Sequence, residues 1–149
     1  MVSLADVAGE GYVPDPYEQE VYELDFSYTP PQYKWQTDTN NYAKRKWNTL
    51  SPNTWILHQS GEVNGEHFSM IIYRYEMLSD GLAYTALEDL SEYDTITEIP
   101  VEGADYFWLD DSSNTIYAAR GKVVLDLWCS ESLDLSGFYD EIAAMLTNS

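Results

Sequence analysis

Hydrophobic and polar residues alternate along the segment from Glu20 to Tyr28. Aromatic or apolar residues occupy every second position, namely Tyr22, Leu24, Phe26 and Tyr28. A period of two predicts a β-strand with one buried and one solvated face. The following Thr29-Pro30-Pro31 ends this strand, because proline lacks the N–H group that a sheet ladder needs.

The next pattern predicts a β-hairpin with the arms Trp55–Val63 and Glu66–Met77. The arms flank Asn64-Gly65, a pair that type I′ two-residue turns prefer. In the second arm both alternating sets are largely apolar, one being Ile71, Tyr73, Tyr75 and Met77 and the other Phe68, Met70, Ile72 and Arg74. We therefore expect the second arm to be a central strand with cover on both faces.

Two segments show the spacing of amphipathic helices. The first begins at Ser79 or Asp80, runs to about Leu90 and carries the apolar stripe Leu82, Ala83, Ala86, Leu87 and Leu90. The second begins at Asp134 or Ser136, and its apolar residues are Leu135, Phe138, Ile142, Met145 and Leu146. Residues spaced by three or four lie on one side of a helix, so each stripe needs a surface to pack on.

Four short strands are predicted between these helices. Thr95–Val101 and Tyr106–Leu109 come first, and Thr115–Ala119 and Lys122–Cys129 then form a hairpin about Arg120-Gly121. The predicted fold class is α+β, a mostly antiparallel sheet with two amphipathic helices in the order β-loop-ββ-α-ββββ-α. We expect a flexible N-terminal arm over residues 1–19 and a single domain over 20–149.

Composition excludes several classes of protein. The chain has 149 residues, of which 26 are acidic and 7 basic, and its net charge is -19. With 44% hydrophobic residues and 13 tyrosines it is too apolar and aromatic for a disordered acidic tail. The negative charge opposes direct binding to nucleic acids, and no apolar run approaches the length of a transmembrane segment.

The charge is also segregated along the chain. Residues 75–119 contain 11 acids and no lysine or arginine, whereas four of the seven basic residues lie within 32–53. That long loop combines cations with aromatic rings, and its candidate binding residues are Tyr33, Trp35, Tyr42, Lys44, Arg45, Lys46 and Trp47. Rigid rings beside polar groups are typical of recognition surfaces for a protein or glycan. The alternative is that the rings anchor the loop to the core and the cations only neutralise the acidic body.

No residue set predicts catalysis, a cofactor or a metal centre. His58 and His67 lie on opposite arms of the first hairpin, with His58 facing Ile71 and His67 facing Glu62, too far apart along the ribbon for an easy shared ligand set. Glu62, Glu66 and His67 are interpreted as a solvated hairpin tip, and the segment from Asp110 to Asn114 as a turn rather than a calcium loop. Cys129, the only cysteine, lies in an apolar run and is predicted to be a buried structural thiol.

Residues 99–146 carry a family resemblance. Gly103-Ala104-Asp105 precedes an aromatic strand, and Thr115-Ile116-Tyr117, Arg120-Gly121-Lys122-Val123-Val124 and a closing amphipathic helix follow. This succession resembles the small extracytoplasmic α/β-sandwich modules of Gram-positive bacterial lipoproteins and membrane-anchored regulators. The resemblance implies an α/β sandwich without enzymatic activity, and export from the cytoplasm.

These observations predict a non-catalytic, exported or surface-tethered binding domain. The first 18 residues are rich in Gly, Pro and Glu and look like the tether that follows a lipid anchor, which would be attached upstream of Met1. The alternative is a cytosolic acidic inhibitor or immunity-type protein that mimics nucleic acid and blocks a basic site on a nuclease or a related target.

Overall fold

A mostly antiparallel β-sheet forms the centre of the fold, in agreement with the predicted α+β class. The structure, a computed structural model, describes residues 2–16, 20–25, 27, 32–33, 51, 53–79 and 95–147. Within those residues the sheet has the strands β1 (Tyr12–Pro14), β2 (Glu20–Asp25), β3 (Gln32–Tyr33), β4 (Trp55–Val63), β5 (Glu66–Glu76), β6 (Ile96–Glu98), β7 (Tyr106–Asp110), β8 (Thr115–Arg120) and β9 (Val123–Cys129). Their spatial order is β3-β2-β4-β5-β9-β8-β7-β6, and β1 also pairs with β4.

Two small helices accompany the sheet in the described part of the chain. Helix α1 (Leu4–Ala8) lies near the N-terminus, and a 3₁₀ turn (Ser136–Phe138) leads into helix α2 (Tyr139–Ala144). The predicted C-terminal helix is therefore present but shorter than its apolar stripe, and Leu135, Ile142 and Leu146 of that stripe are buried. The helix predicted from Ser79 or Asp80 to about Leu90 lies, apart from Ser79, outside the described residues.

The first hairpin has the predicted turn and register. Val63 pairs with Glu66, Glu62 with His67 and His58 with Ile71. Asn64 and Gly65 both have positive φ, 52° and 81°, as a type I′ turn requires. Strand β5 lies between β4 and β9, so its predicted central position is confirmed.

The second hairpin is centred one residue later than predicted. Arg120 pairs with Val123, so the two turn residues are Gly121 and Lys122 rather than Arg120 and Gly121. Gly121 has a φ of 56°, and a two-residue turn with glycine at its first position matches the type II′ preference. This correction moves the partner of Tyr117 to Asp126.

Residues 2–16 pack on the body of the fold, in contrast to the flexible arm predicted for 1–19. A capping box joins Ser3 and Asp6 at the start of α1, and the Leu4 N–H donates to Gln59 Oε1 over 2.8 Å. Val2 and Leu4 belong to the hydrophobic core. Burial of two apolar side chains and this long-range hydrogen bond hold the segment in place.

Strand β1 continues the edge of the sheet beside β2. Both pair with β4, β2 along Trp55–His58 and β1 along Gly61–Val63. The ring of Tyr12 lies over Gly61, where an added Cβ would come within 2.5 Å of Tyr12 Cε2. Only glycine leaves room for this approach, which places the Tyr12 hydroxyl 3.0 Å from the Ser60 carbonyl oxygen that it donates to.

The two faces of the sheet differ in burial. The face toward α1 and α2 holds the main core, including Ile72, Leu125, Leu127 and Ile116, all 0% exposed. Side chains alternate along each strand, so their neighbours project from the opposite face. That second face carries half-buried aromatic residues between buried ones such as Ile56, Trp108 and Val124, and it forms the main candidate site.

Candidate functional site

Most of the binding residues predicted from the sequence lie outside the described part of the chain. These are Trp35, Tyr42, Lys44, Arg45, Lys46 and Trp47. Tyr33 is described in its backbone, as the last residue of β3, where it pairs with Leu24. Which of these seven residues come together therefore stays a prediction.

The point at which loop 32–53 rejoins the sheet is held by hydrogen bonds to β5. The Ser51 N–H donates to the Glu76 carbonyl oxygen over 2.7 Å, and the Glu76 N–H donates to Thr54 Oγ1 over 3.1 Å. Ser51 and Thr54 are both buried. Buried backbone groups need such partners, so the chain enters β4 from a defined position.

A buried arginine reinforces this anchor. Arg74 is 2% exposed, and its Nε donates to the Met145 carbonyl oxygen over 2.9 Å while Nη1 donates to the Asn53 carbonyl oxygen over 3.3 Å. Glu76 Oε2 lies 3.9 Å from Nη1. Burial lowers the pKa of Arg74 and the Glu76 carboxylate opposes that shift. Arg74 thus joins the end of the loop to the residues that follow α2.

Basic and acidic side chains lie together at one end of the sheet. Arg120 and Lys122 are exposed near the β8–β9 turn, where Val123 pairs with Glu76 and the Gly121 N–H donates to Asp105 Oδ2 over 2.9 Å. The opposite end carries Asp110, Asp111, Glu131 and Asp134, on two loops that Asn114 joins through hydrogen bonds to the carbonyl oxygens of Ser130 and Leu133. Burial raises the pKa of Tyr139, and the charges of Asp134 and Asp111 add to the shift. The loop anchors Ser51 and Thr54 lie at the first end, where Glu76 and Asp105 accompany Arg120 and Lys122.

The second sheet face carries an aromatic row with a carboxylate at its centre. Tyr73 pairs with Asp126, and Asp126 pairs with Tyr117, so the three side chains share one face of adjacent strands. All three are half-buried. Burial raises the phenol pKa of both tyrosines, and the charge of Asp126 raises it further. The carboxylate therefore acts electrostatically on a ring on each side.

Trp128 extends this row into a patch. It is 36% exposed, and it pairs with Ile71 on one side and with Thr115 on the other. Tyr73 also stacks on Tyr75, with ring centroids 6.0 Å apart. We refer to Ile71, Tyr73, Tyr117, Asp126 and Trp128 together as the Trp128 patch. Flat rings around one carboxylate can bind a cation or a sugar ring.

The patch as a whole does not follow from the sequence pattern, although part of its signal is visible there. The pattern predicts that Ile71, Tyr73 and Tyr75 share one face of the second hairpin arm, and the structure confirms it. The contribution of Asp126 and Tyr117 depends on the register of β8 and β9. Since the predicted turn was displaced by one residue, the alignment of these two side chains did not follow from it.

A Ser, a His and an Asp meet at the edge of the sheet, but not as a nucleophilic relay. Asp15 Oδ2 accepts from Ser60 Oγ over 2.9 Å and contacts His67 Nε2 over 3.0 Å. These hydrogen bonds, that of His67 first, lower the pKa of Asp15. Nucleophilic activation would require the histidine to accept the serine proton, whereas here the buried Ser60 donates to the carboxylate. The cluster holds the end of β1 on the sheet.

The other side chains considered for chemistry have local roles. Asp110 Oδ1 accepts from the Ser112 hydroxyl and N–H, which makes its loop an ordinary turn. Cys129 is buried as predicted, and burial raises its pKa to about 11.

Across the described ranges no group of three or more His, Cys, Asp or Glu side chains could hold a metal ion. A cleft of about 350 Å³ lies among Val2, Asp6, Phe138 and Glu141, but Asp6 already serves the capping box.

No described helix is both long enough and apolar enough to cross a membrane. Comparisons of the chain with protein-family models, with curated proteins and with solved structures found no match.

Proposed function

We propose that this chain is a non-catalytic binding domain that contacts a protein or glycan partner through loop 32–53. The observation that carries the proposal is the anchoring of both ends of that loop on the sheet. Tyr33 pairs with Leu24 at the outer strand, and Ser51 and Thr54 bond to Glu76. Binding loops typically extend from a rigid scaffold of this kind.

Charge supports the same proposal. The loop contains Lys34, Lys44, Arg45 and Lys46, and its anchors lie at the sheet end that also carries Arg120 and Lys122. Four of the seven basic residues of a chain with a net charge of -19 thus lie in this one loop. Such a local concentration of positive charge orients an encounter with a partner.

The test replaces two loop tryptophans and follows folding and binding separately. We expect Trp35→Ala and Trp47→Ala to leave the thermal unfolding transition unchanged and to abolish capture of the partner. A photo-crosslinking residue at position 35 should label that partner, whereas the same residue at Asp140, on the exposed side of α2, should not. Screening on a glycan array distinguishes a sugar from a protein. Unfolding of both tryptophan variants would instead show that these rings belong to the core.

The acidic end of the sheet supports a second candidate function. It combines Asp110, Asp111, Glu131 and Asp134, and the described lysines and arginines lie elsewhere. An inhibitor or immunity-type protein could use this end to mimic nucleic acid and block a basic site on a nuclease. Its affinity for the nuclease would fall steeply with salt. Binding that does not change with salt would count against this function.

Location and the finer architecture belong to the same proposal. The resemblance of residues 99–146 to extracytoplasmic modules supports export and attachment at the cell surface, through a lipid anchor upstream of Met1, and the inhibitor function would instead place the protein in the cytoplasm. We also propose the α/β sandwich, with the order β-loop-ββ-α-ββββ-α from β2 to the C-terminus, where α1 and β1 precede it and β3 lies within the loop. Cell fractionation with an antibody to the protein tests the location, and an experimental structure tests the order of elements.

A further inference from the structure

Strand β6 ends the sheet on the side away from β3. Within the described part of the chain it lies last in the strand order and pairs with β7 alone. Thr97 and Glu98 are both exposed, and Ile96 is half-buried. Successive side chains of a strand project from opposite faces, so solvent reaches both faces of this strand, as expected for an uncovered edge.

The backbone groups of Ile96 and Glu98 point away from the sheet. On the inner side of the strand, the Ile99 N–H donates to the Phe107 carbonyl oxygen over 2.8 Å. Residues of an antiparallel ladder alternate between those that bond to the neighbouring strand and those that face away from it. Thr97 therefore also bonds to β7, and the N–H and C=O groups of Ile96 and Glu98 are directed outward, where they can pair with a further strand.

Negative charge lies beside this edge. Glu98 takes part in neither of the ion pairs found among the described residues. Asp110 pairs with Ile96, so its carboxylate lies on the same face as that of Glu98. Hydrogen bonds, that of the Ser112 hydroxyl first, lower the pKa of Asp110 and keep it ionised. A second copy of this edge would bring like charges together, which destabilises cross-strand pairs, whereas a basic strand would be attracted.

We propose that the outer edge of β6 binds an extended, basic segment of a partner protein by antiparallel β-pairing, with a lysine or arginine of that segment opposite Glu98. Backbone hydrogen bonds to Ile96 and Glu98 supply affinity, and the cross-strand side chains supply specificity. Opposite charges and β-branched pairs stabilise such neighbours, so the segment carries a β-branched residue opposite Ile96. This surface is separate from loop 32–53, which begins at β3, the other end of the strand order.

The first experiment is an NMR titration of the whole chain with the blocked peptide Thr-Lys-Thr-Val-Thr, whose lysine and valine stand opposite Glu98 and Ile96. The amide proton signals of Ile96 and Glu98 should move downfield, because these N–H groups gain acceptors. The Thr97 signal should move less, since its N–H already bonds to β7.

Modified peptides test the backbone pairing. N-methylation of the lysine or the valine removes an N–H that faces β6 and should weaken binding about tenfold. N-methylation of the central threonine is the matched control, because its N–H points away from β6, and it should change the affinity less than these two modifications do.

Variants of the chain test the charge. Glu98→Lys should weaken binding of the lysine peptide about fivefold and should bind Thr-Glu-Thr-Val-Thr better than the wild type does. Glu102→Lys is the matched control, because it reverses an exposed acid in the turn after β6 and should change the affinity less than about twofold. Thermal unfolding of each variant checks folding, and Glu98→Gln, which should also weaken binding, replaces Glu98→Lys if the reversal destabilises the chain.

Several results would overturn this surface. Peptide binding that leaves the Ile96 and Glu98 amide signals in place would put the peptide elsewhere, and an absence of binding at low salt would remove the site. Equal losses in Glu98→Lys and Glu102→Lys would show only a general attraction to an acidic protein. Shifts of the Ile96 and Glu98 signals that grow with protein concentration, without peptide, would assign the edge to a second copy of the chain.

Discussion

Asp15 and His67 are 52 positions apart in the chain and touch at the edge of the sheet, with Oδ2 of the aspartate 3.0 Å from Nε2 of the histidine. The same carboxylate oxygen accepts from Ser60, and the Asp15 N–H donates to the Ser60 carbonyl oxygen over 2.9 Å. One residue therefore ends the N-terminal segment with both its backbone and its side chain bonded to the first hairpin.

The Asp15 contacts predict a pH-dependent contribution to stability. Hydrogen bonds lower the pKa of this carboxyl below the ordinary 3.8, so the folded state favours the ionised form. The resulting stabilisation is present above pH 3.8 and is lost as the pH falls through the lower pKa of the folded state. Asp15→Asn should be less stable than the wild type near neutral pH, and this difference should shrink in strong acid.

Urea unfolding at a series of pH values measures this difference. Glu66→Gln is the control, since Glu66 is an exposed acid directly before His67 and its loss should leave the profile unchanged. A constant difference between Asp15→Asn and wild type across the acidic range would contradict the assigned role of the carboxylate.

Gly61→Ala should be destabilising because the new methyl group meets Tyr12. Its Cβ would lie 2.5 Å from both the Tyr12 ring and the Val13 carbonyl oxygen, so β1 would have to shift. We expect a loss of about 1–3 kcal/mol in the free energy of unfolding. Gly137→Ala, where an added Cβ meets nothing within 4 Å, should change it by less than about 0.5 kcal/mol. Chemical denaturation of both variants provides the comparison, and equal stabilities would contradict the close packing of β1.

Arg74→Met should be among the most damaging single changes. It removes the donors to Met145 and Asn53 and leaves the half-buried Glu76 without a nearby cation. Because Arg74 itself is 2% exposed, we expect a loss of about 3–5 kcal/mol in the free energy of unfolding. Arg120→Met, at an exposed position, should cost less than about 0.5 kcal/mol. Hydrogen exchange should also show faster exchange at the Ser51 N–H, because the end of the loop loses its support. Unchanged protection there would separate Arg74 from the loop anchor.

Cys129 should resist thiol reagents in the folded protein. It is 0% exposed, and its pKa of about 11 leaves little thiolate at neutral or mildly alkaline pH. A chromogenic disulfide reagent should react slowly with the native chain and rapidly in denaturant. A native rate similar to the denatured rate would show that this part of the core opens readily.

Local signals predicted the elements whose partners are close in sequence. The Asn64-Gly65 turn sets the register of β4 and β5 by itself, since both of its residues take the positive φ that the turn needs. The central position of β5 followed from its two apolar faces. Both inferences depend on residues within one continuous segment.

Long-range contacts explain what the sequence did not predict. The position of residues 2–16 depends on Gln59, Ser60 and Gly61, far along the chain. The Trp128 patch likewise needs three strands in the correct register. Shifting one turn by one residue gives Tyr117 a different cross-strand partner. Such an error leaves the predicted fold class unchanged, but it removes the alignment of Tyr117 with Asp126 on which the Trp128 patch depends.

The division of the β4 edge between β1 and β2 has a consequence for how the protein behaves at high concentration. A nine-residue strand with an open edge would be a template for backbone pairing with another chain. Here β2 covers Trp55–His58 and β1 covers Gly61–Val63, and both covering strands are short. The N-terminal segment thus protects the β4 edge from backbone pairing with another chain. Cleavage before Asp15 would expose Gly61–Val63, the part of the edge that β1 covers.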